Sequence, residues 1–138
     1  MVDIPVNFLE ALSAISRCKG VAGQLLFGTI YCSPSSNEIN DSKLYDLLFH
    51  VQNNFIMPKL IVGNFNYTNI ESHYSSNGGA SAWCGRLSAN DTKFINAIRE
   101  NLLYQHVVEP TRQRGSDSRH TLDLVLMSDD FFYLTLNT

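Results

Sequence analysis

The sequence predicts an α/β fold, and three observations carry that reading. Two short apolar runs rich in strand formers, residues 25–31 and 59–62, flank a segment with helical spacing. A second helical stripe follows near residue 90 and leads into another strand-forming run at 121–127. Strand, helix and strand within about forty residues make a βαβ unit, which sets two parallel strands in one sheet with the helix crossing over. The chain has 138 residues, 44% hydrophobic and 17% charged. That is the size and apolar content of one globular domain.

The elements follow in order. Phe8, Leu12 and Ile15 have helical spacing after Asn7, with Gly20 placed to close a helix. Residues 25–31 read as a buried strand that stops at the turn-like Ser33-Pro34-Ser35-Ser36-Asn37. Asp41 is an expected N-cap for a helix whose face is Leu44, Leu47, Leu48 and Val51 and which ends near Asn54. Lys59-Leu60-Ile61-Val62 is the next strand, with Gly63 as the point where the backbone leaves it. Residues 67–87, rich in Asn, Ser and Gly, read as a long loop anchored by Trp83. Asn90 and Asp91 are expected caps for a helix carrying Phe94, Ile98 and Leu102, with Ile95 and Leu103 beside them. Residues 105–108 and 121–127 are the remaining strands. No internal repeat or low-complexity tract interrupts this pattern.

Charge and cysteine usage exclude several classes. The net charge is −3 with a pI near 5.7, so tight non-specific DNA binding by the whole surface is not expected. Cys18, Cys32 and Cys84 are odd in number and share no metal-ligand spacing; neither a disulfide framework nor a zinc site is indicated, and a reducing intracellular compartment, nuclear or cytoplasmic, is expected. No apolar run approaches the ~20 residues that cross a bilayer, so no membrane partner is expected.

In open α/β sheets, ligands bind beyond the carboxyl ends of the strands. Tyr31 ends the first strand, and the Gly63-Asn64-Phe65-Asn66 turn follows the second, its alternation setting Asn64 and Asn66 to one side and burying Phe65. Such a site offers hydrogen bonds without charge, which suits holding a phosphate; equally, asparagines in a turn serve the backbone alone. Arg112, Arg114, Arg119 and His120 form the densest basic stretch, a phosphate-binding loop or a solvated one. Asp123, between Leu122 and Leu124, is either a functional acid or the structural partner of a nearby arginine. His120 lies three residues before it, on the opposite side of a continuous strand. His50, His73 and His106 read as ordinary helix, loop and strand residues.

Four ordered blocks carry a resemblance. Residues 26–34 (Leu-Phe-Gly-Thr-Ile-Tyr-Cys-Ser-Pro), 61–66 (Ile-Val-Gly-Asn-Phe-Asn), 105–112 (Gln-His-Val-Val-Glu-Pro-Thr-Arg) and 122–126 (Leu-Asp-Leu-Val-Leu) resemble the endonuclease domains of LINE-type retrotransposons, within the endonuclease/exonuclease/phosphatase superfamily. The order and spacing agree over residues 25–128. The resemblance implies a partial four-layer α/β sandwich of the DNase I-like type over residues 1–138, with Mg²⁺-dependent hydrolysis of DNA phosphodiesters. It makes Tyr31, Asn66 and Thr111 contacts of the phosphate, with Arg112 beside them, and Asp123 the carboxylate that orients a catalytic histidine. It also makes the region around Glu10 to Cys18 a strand, against the helical spacing, and the strand is the reading preferred.

The departures point to lost chemistry. Asn64 stands where the family's Gly-Asp-Phe-Asn motif has the aspartate that deprotonates the attacking water, and Cys32 replaces an arginine common after the tyrosine. The metal-binding glutamate with its partner asparagine, and the Ser-Asp-His motif, are expected to fall outside this chain, so Mg²⁺ binding is in doubt. Sheet edges left exposed by such a truncation make self-association an expectation.

Overall fold

The computed structural model of the protein describes residues 14–20, 23–73, 82–84, 87–107, 109–113, 115–116 and 120–128. Its main sheet has five strands in the order β1-β2-β3-β7-β6. These are β1 (Ala14–Gly20), β2 (Gly23–Tyr31), β3 (Lys59–Asn64), β6 (Leu103–Gln105) and β7 (Asp123–Ser128). Helix α1 (Glu38–Asn54) connects β2 to the parallel β3, as the βαβ pattern predicts. All other pairs in the sheet are antiparallel. Helix α2 (Ala89–Glu100) precedes β6, and a separate pair is formed by β4 (Glu71–His73) and β5 (Ala82–Cys84).

Strand alternation decides where the core sits. Leu26 and Ile30 of β2, Ile61 of β3, and Leu124 and Leu126 of β7 share one face of the sheet and are buried. They join Leu44, Leu47, Leu48 and Val51 of α1 and Phe94, Ile95 and Ile98 of α2 in one cluster. Each such side chain contributes about 1.5–3 kcal/mol on burial. The alternate residues Phe27, Thr29, Val62 and Val125 lie on the opposite face and are only half-buried.

One expectation here holds and several are corrected. Residues 14–20 form the strand preferred on the resemblance: pairing with β2, closed by Gly20 opposite Gly23, overrides the helical spacing of Ile15 with its predecessors. Residues 1–13, which include the rest of that expected helix, lie outside the described residues. The first helix starts before Asp41 because Asn37 is its cap, its side chain accepting from Asn40 N at 2.9 Å. Asp41 instead accepts from Ser36 Oγ at 2.9 Å.

In α2 the cap is Ser88, not Asn90 or Asp91. Ser88 Oγ accepts from Asp91 N at 3.2 Å while Asp91 Oδ2 accepts from Ser88 N at 2.7 Å, a reciprocal capping box. The expected loop holds the β4–β5 pair; Trp83 falls on β5, and the anchoring expected of its side chain lies outside the described residues. Leu102 leaves the predicted stripe: α2 ends at Glu100, and Leu102 takes φ 55° with 54% of its surface exposed. The next strand therefore begins at Leu103, earlier than the 105–108 segment expected.

Gly63 does not mark a turn. It lies inside β3 opposite Ile30, where an added Cβ would stand 1.9 Å from the Ile30 carbonyl oxygen. Only a hydrogen fits between the two parallel backbones there. That close approach carries β3 on to Asn64, level with the end of β2.

Candidate functional site

The carboxyl ends of β2 and β3 and the first residue of β7 come level, which sets three polar side chains in one row. Tyr31 pairs with Asn64, and Asn64 pairs with Asp123. Adjacent strands lie ~4.8 Å apart, so the row spans ~10 Å with the amide in the middle. Tyr31 is 46% exposed and Asp123 is also exposed. Asn64 Oδ1 is buried and meets no hydrogen-bond donor among the described residues.

Asp123 carries no burial penalty, because it opens β7 rather than lying within it. It is not ion-paired to Arg112 among the described residues; Arg114 and Arg119 lie outside them. The structural pairing that composition allowed is therefore unsupported for Arg112.

Beyond Asn64 the chain leaves the sheet. Phe65 is buried against Phe94, with ring centroids 5.5 Å apart. Asn66 is left-handed, φ 55°, a conformation that asparagine tolerates better than most residues. Strand alternation therefore stops at Asn64, and the Asn66 side-chain amide donates to the Cys32 carbonyl instead. Asn66 thus ties the end of β3 to the end of β2. Cys32 itself is buried in the core. Tyr67 then stacks on Phe94 at 4.1 Å, its hydroxyl 3.5 Å from that of Tyr45, and burial pushes both phenols upward in pKa.

The polar stretch 109–113 runs beside the start of β7 and lines an open cleft of about 210 Å³. Thr111 Oγ1 accepts from Leu122 N and Asp123 N, both at 3.1 Å. With two amides on its lone pairs, the hydroxyl has its proton left to donate outward. Arg112 is exposed next to it.

A family model described as endonuclease-reverse transcriptase matches residues 25–137. The chain belongs to that family. Among solved structures, the endonuclease domain of TRAS1, a telomere-specific non-LTR retrotransposon, is similar at 12% identity and a TM-score of 0.58. The likeness covers 88% of this chain and 52% of that one, so the chain spans about half its length. The fold is therefore α/β of the DNase I-like endonuclease type. No curated protein matches the sequence.

In the endonuclease-reverse transcriptase frame, the structure gathers Tyr31, Asn64 and Asp123 in one row, with Thr111 bonded to the Asp123 backbone. Asn66 stands two residues beyond the row with its amide engaged by the Cys32 carbonyl. Two features had no signal in the residues: the double acceptor role of Thr111, and the imidazole of His120, whose Nδ1 lies 3.0 Å from Thr68 O. Both are contacts between segments distant in sequence, which periodicity does not reveal. No helix among the described residues is long and apolar enough to cross a membrane.

Proposed function

We propose that this chain is an endonuclease-like domain derived from a non-LTR retrotransposon, whose ancestral Mg²⁺-dependent hydrolysis of DNA phosphodiesters is degenerate. The observation that carries this is Asn64 at the centre of the Tyr31–Asn64–Asp123 row. The family's motif has an aspartate there to take a proton from water. A carboxamide has no basic site at neutral pH, and general-base assistance is worth about 10²–10⁴ in rate. The likeness to an endonuclease domain of a non-LTR retrotransposon supports the ancestry.

The residues described at this end supply few of the ligands that Mg²⁺ takes. Mg²⁺ is held through carboxylates completed by water and phosphate oxygens. Here the row supplies one exposed carboxylate, Asp123, and a neutral amide oxygen. Among the described residues no three His, Cys, Asp or Glu side chains converge.

The test is plasmid nicking. Purified chain incubated with supercoiled DNA and Mg²⁺ is expected to leave the plasmid closed; robust relaxation by the unaltered chain would overturn the reading.

A second reading has its own support: the surface holds DNA phosphate without cutting it. Thr111 with an outward hydroxyl proton, exposed Arg112 and the exposed Tyr31 hydroxyl offer three donors along one rim. A gel shift that weakens with salt and is further weakened in Arg112→Ala would support it. A DNA-directed role of either kind belongs inside the cell, in nucleus or cytoplasm.

A further inference from the structure

The stretch after Pro110 folds back on itself. Arg112 and His120 form an antiparallel bridge, with His120 N donating to Arg112 O at 2.9 Å and Arg112 N to His120 O at 3.0 Å. Thr111 N adds a third bond to His120 O at 2.9 Å. At its inner end this rung is fastened to β7 by the Thr111 hydroxyl. Its outer end, where Arg112 projects, is fastened by a side chain from the opposite strand of the bridge.

That side chain is His120. Its Nδ1 lies 3.0 Å from the carbonyl oxygen of Thr68. A carbonyl only accepts, so Nδ1 carries the proton, in the neutral and the cationic ring alike. Thr68 stands two residues beyond Asn66, in the segment that Asn66 ties back to Cys32 at the end of β2. One imidazole thus links the Thr111–Arg112 rung to the turn leaving β3, and through Asn66 to the strand that carries Tyr31.

We propose that His120 is a positioning residue: its Nδ1–H bond to Thr68 fixes the spacing between Arg112 and the Tyr31–Asn66 side of the site. This rests on the phosphate-holding reading. Donors on two independent loops each lose mobility when they grip one ligand, whereas donors already held at one spacing do not. His120 therefore affects DNA only through Arg112.

The experiment measures binding of a short fluorescein-labelled duplex by the full chain over a range of NaCl. His120→Ala is expected to weaken binding about five- to tenfold and to reduce the salt slope by about one phosphate contact, as Arg112→Ala does. His120→Asn, whose side-chain amide reaches the place of Nδ1, is expected to keep both. The double variant His120→Ala with Arg112→Ala is expected to bind no more weakly than Arg112→Ala alone. Unchanged binding in His120→Ala, equal loss in His120→Asn, or additive losses in the double variant overturn the proposal.

Amide hydrogen exchange without DNA forms a separate arm. The Arg112 and His120 amides are expected to exchange faster in His120→Ala and normally in His120→Asn; equal rates in all three proteins overturn the link itself. Failure of the unaltered chain to bind duplex overturns the phosphate reading and the role in binding with it, while the exchange arm still decides whether the link exists.

Discussion

Asn64 and Asp123 stand directly opposite each other on the antiparallel pair β3–β7. Cβ atoms of such a pair are ~5 Å apart, so any charge at position 64 meets the Asp123 carboxylate. Asn64→Asp sets two like charges face to face, one with an oxygen in the buried place of Asn64 Oδ1. The variant is expected to lose ~1 kcal/mol or more at pH 7. Much of that loss should disappear near pH 4, where carboxylates protonate. Urea midpoints at the two pH values check this; a pH-independent difference would contradict the pairing.

Thr111 is the next point of leverage, because one hydroxyl oxygen serves two amides at the mouth of β7. Thr111→Val keeps the shape and leaves both N–H groups without that acceptor, at a cost of about 1–2 kcal/mol. Thr111→Ser keeps the oxygen and is expected to lose only a few tenths. Chemical denaturation of the three proteins distinguishes the roles: equal stability of the valine and serine variants would show that the hydroxyl does not hold β7.

Gly63→Ala tests the close approach of β2 and β3. The new methyl would stand 1.9 Å from a backbone oxygen, which has no rotamer to yield. Separation of the parallel strands is the only relief, and a loss of ~3 kcal/mol or more is expected. Thermal unfolding checks it; a shift of under a degree would mean that β3 leaves the sheet before Gly63.

Much of this fold was legible in the sequence because its helices are amphipathic. Leu44, Leu47, Leu48 and Val51 announce the buried face of α1, and the same residues are buried. The parallel β2–β3 pair followed from chain length between two apolar runs. What stayed hidden depended on partners. The spacing of Ile15 hid β1, which only the resemblance anticipated, because it is a strand through the edge that β2 offers it. Ser88 outcompetes Asn90 as a cap because Asp91 answers its backbone N–H. In the site, the Gly-Asn-Phe-Asn motif located the strand ends, but alternation wrongly extended to Asn66, whose left-handed backbone turns its amide to Cys32.

His106 gives the protein a pH-dependent component of stability. Burial lowers its pKa below the usual histidine value, since desolvation disfavours the imidazolium. The unfolded chain, with an ordinary value near 6.5, then binds the proton first. Stability from this residue is complete above about pH 6.5 and is lost as the pH falls from there toward the folded-state pKa. Denaturation midpoints between pH 8 and pH 5 are expected to fall, and to fall less in His106→Gln. Identical profiles for the two proteins would remove His106 as the cause.

Leu102 ends α2 in the position that glycine usually fills. At φ 55° its Cβ crowds the following carbonyl, a penalty of about 1–2 kcal/mol for a non-glycine residue. The side chain recovers little, because 54% of it is exposed. Leu102→Gly relieves the crowding and gives back part of the gain through the freer unfolded chain, about 0.5–1 kcal/mol. The net expectation is stabilisation of up to ~1 kcal/mol, whereas the β-branched Leu102→Ile, stiffer in this region, loses a similar amount. Urea midpoints rank the three proteins glycine, leucine, isoleucine. The opposite order would mean that Leu102 leaves the left-handed region in solution and that α2 ends elsewhere.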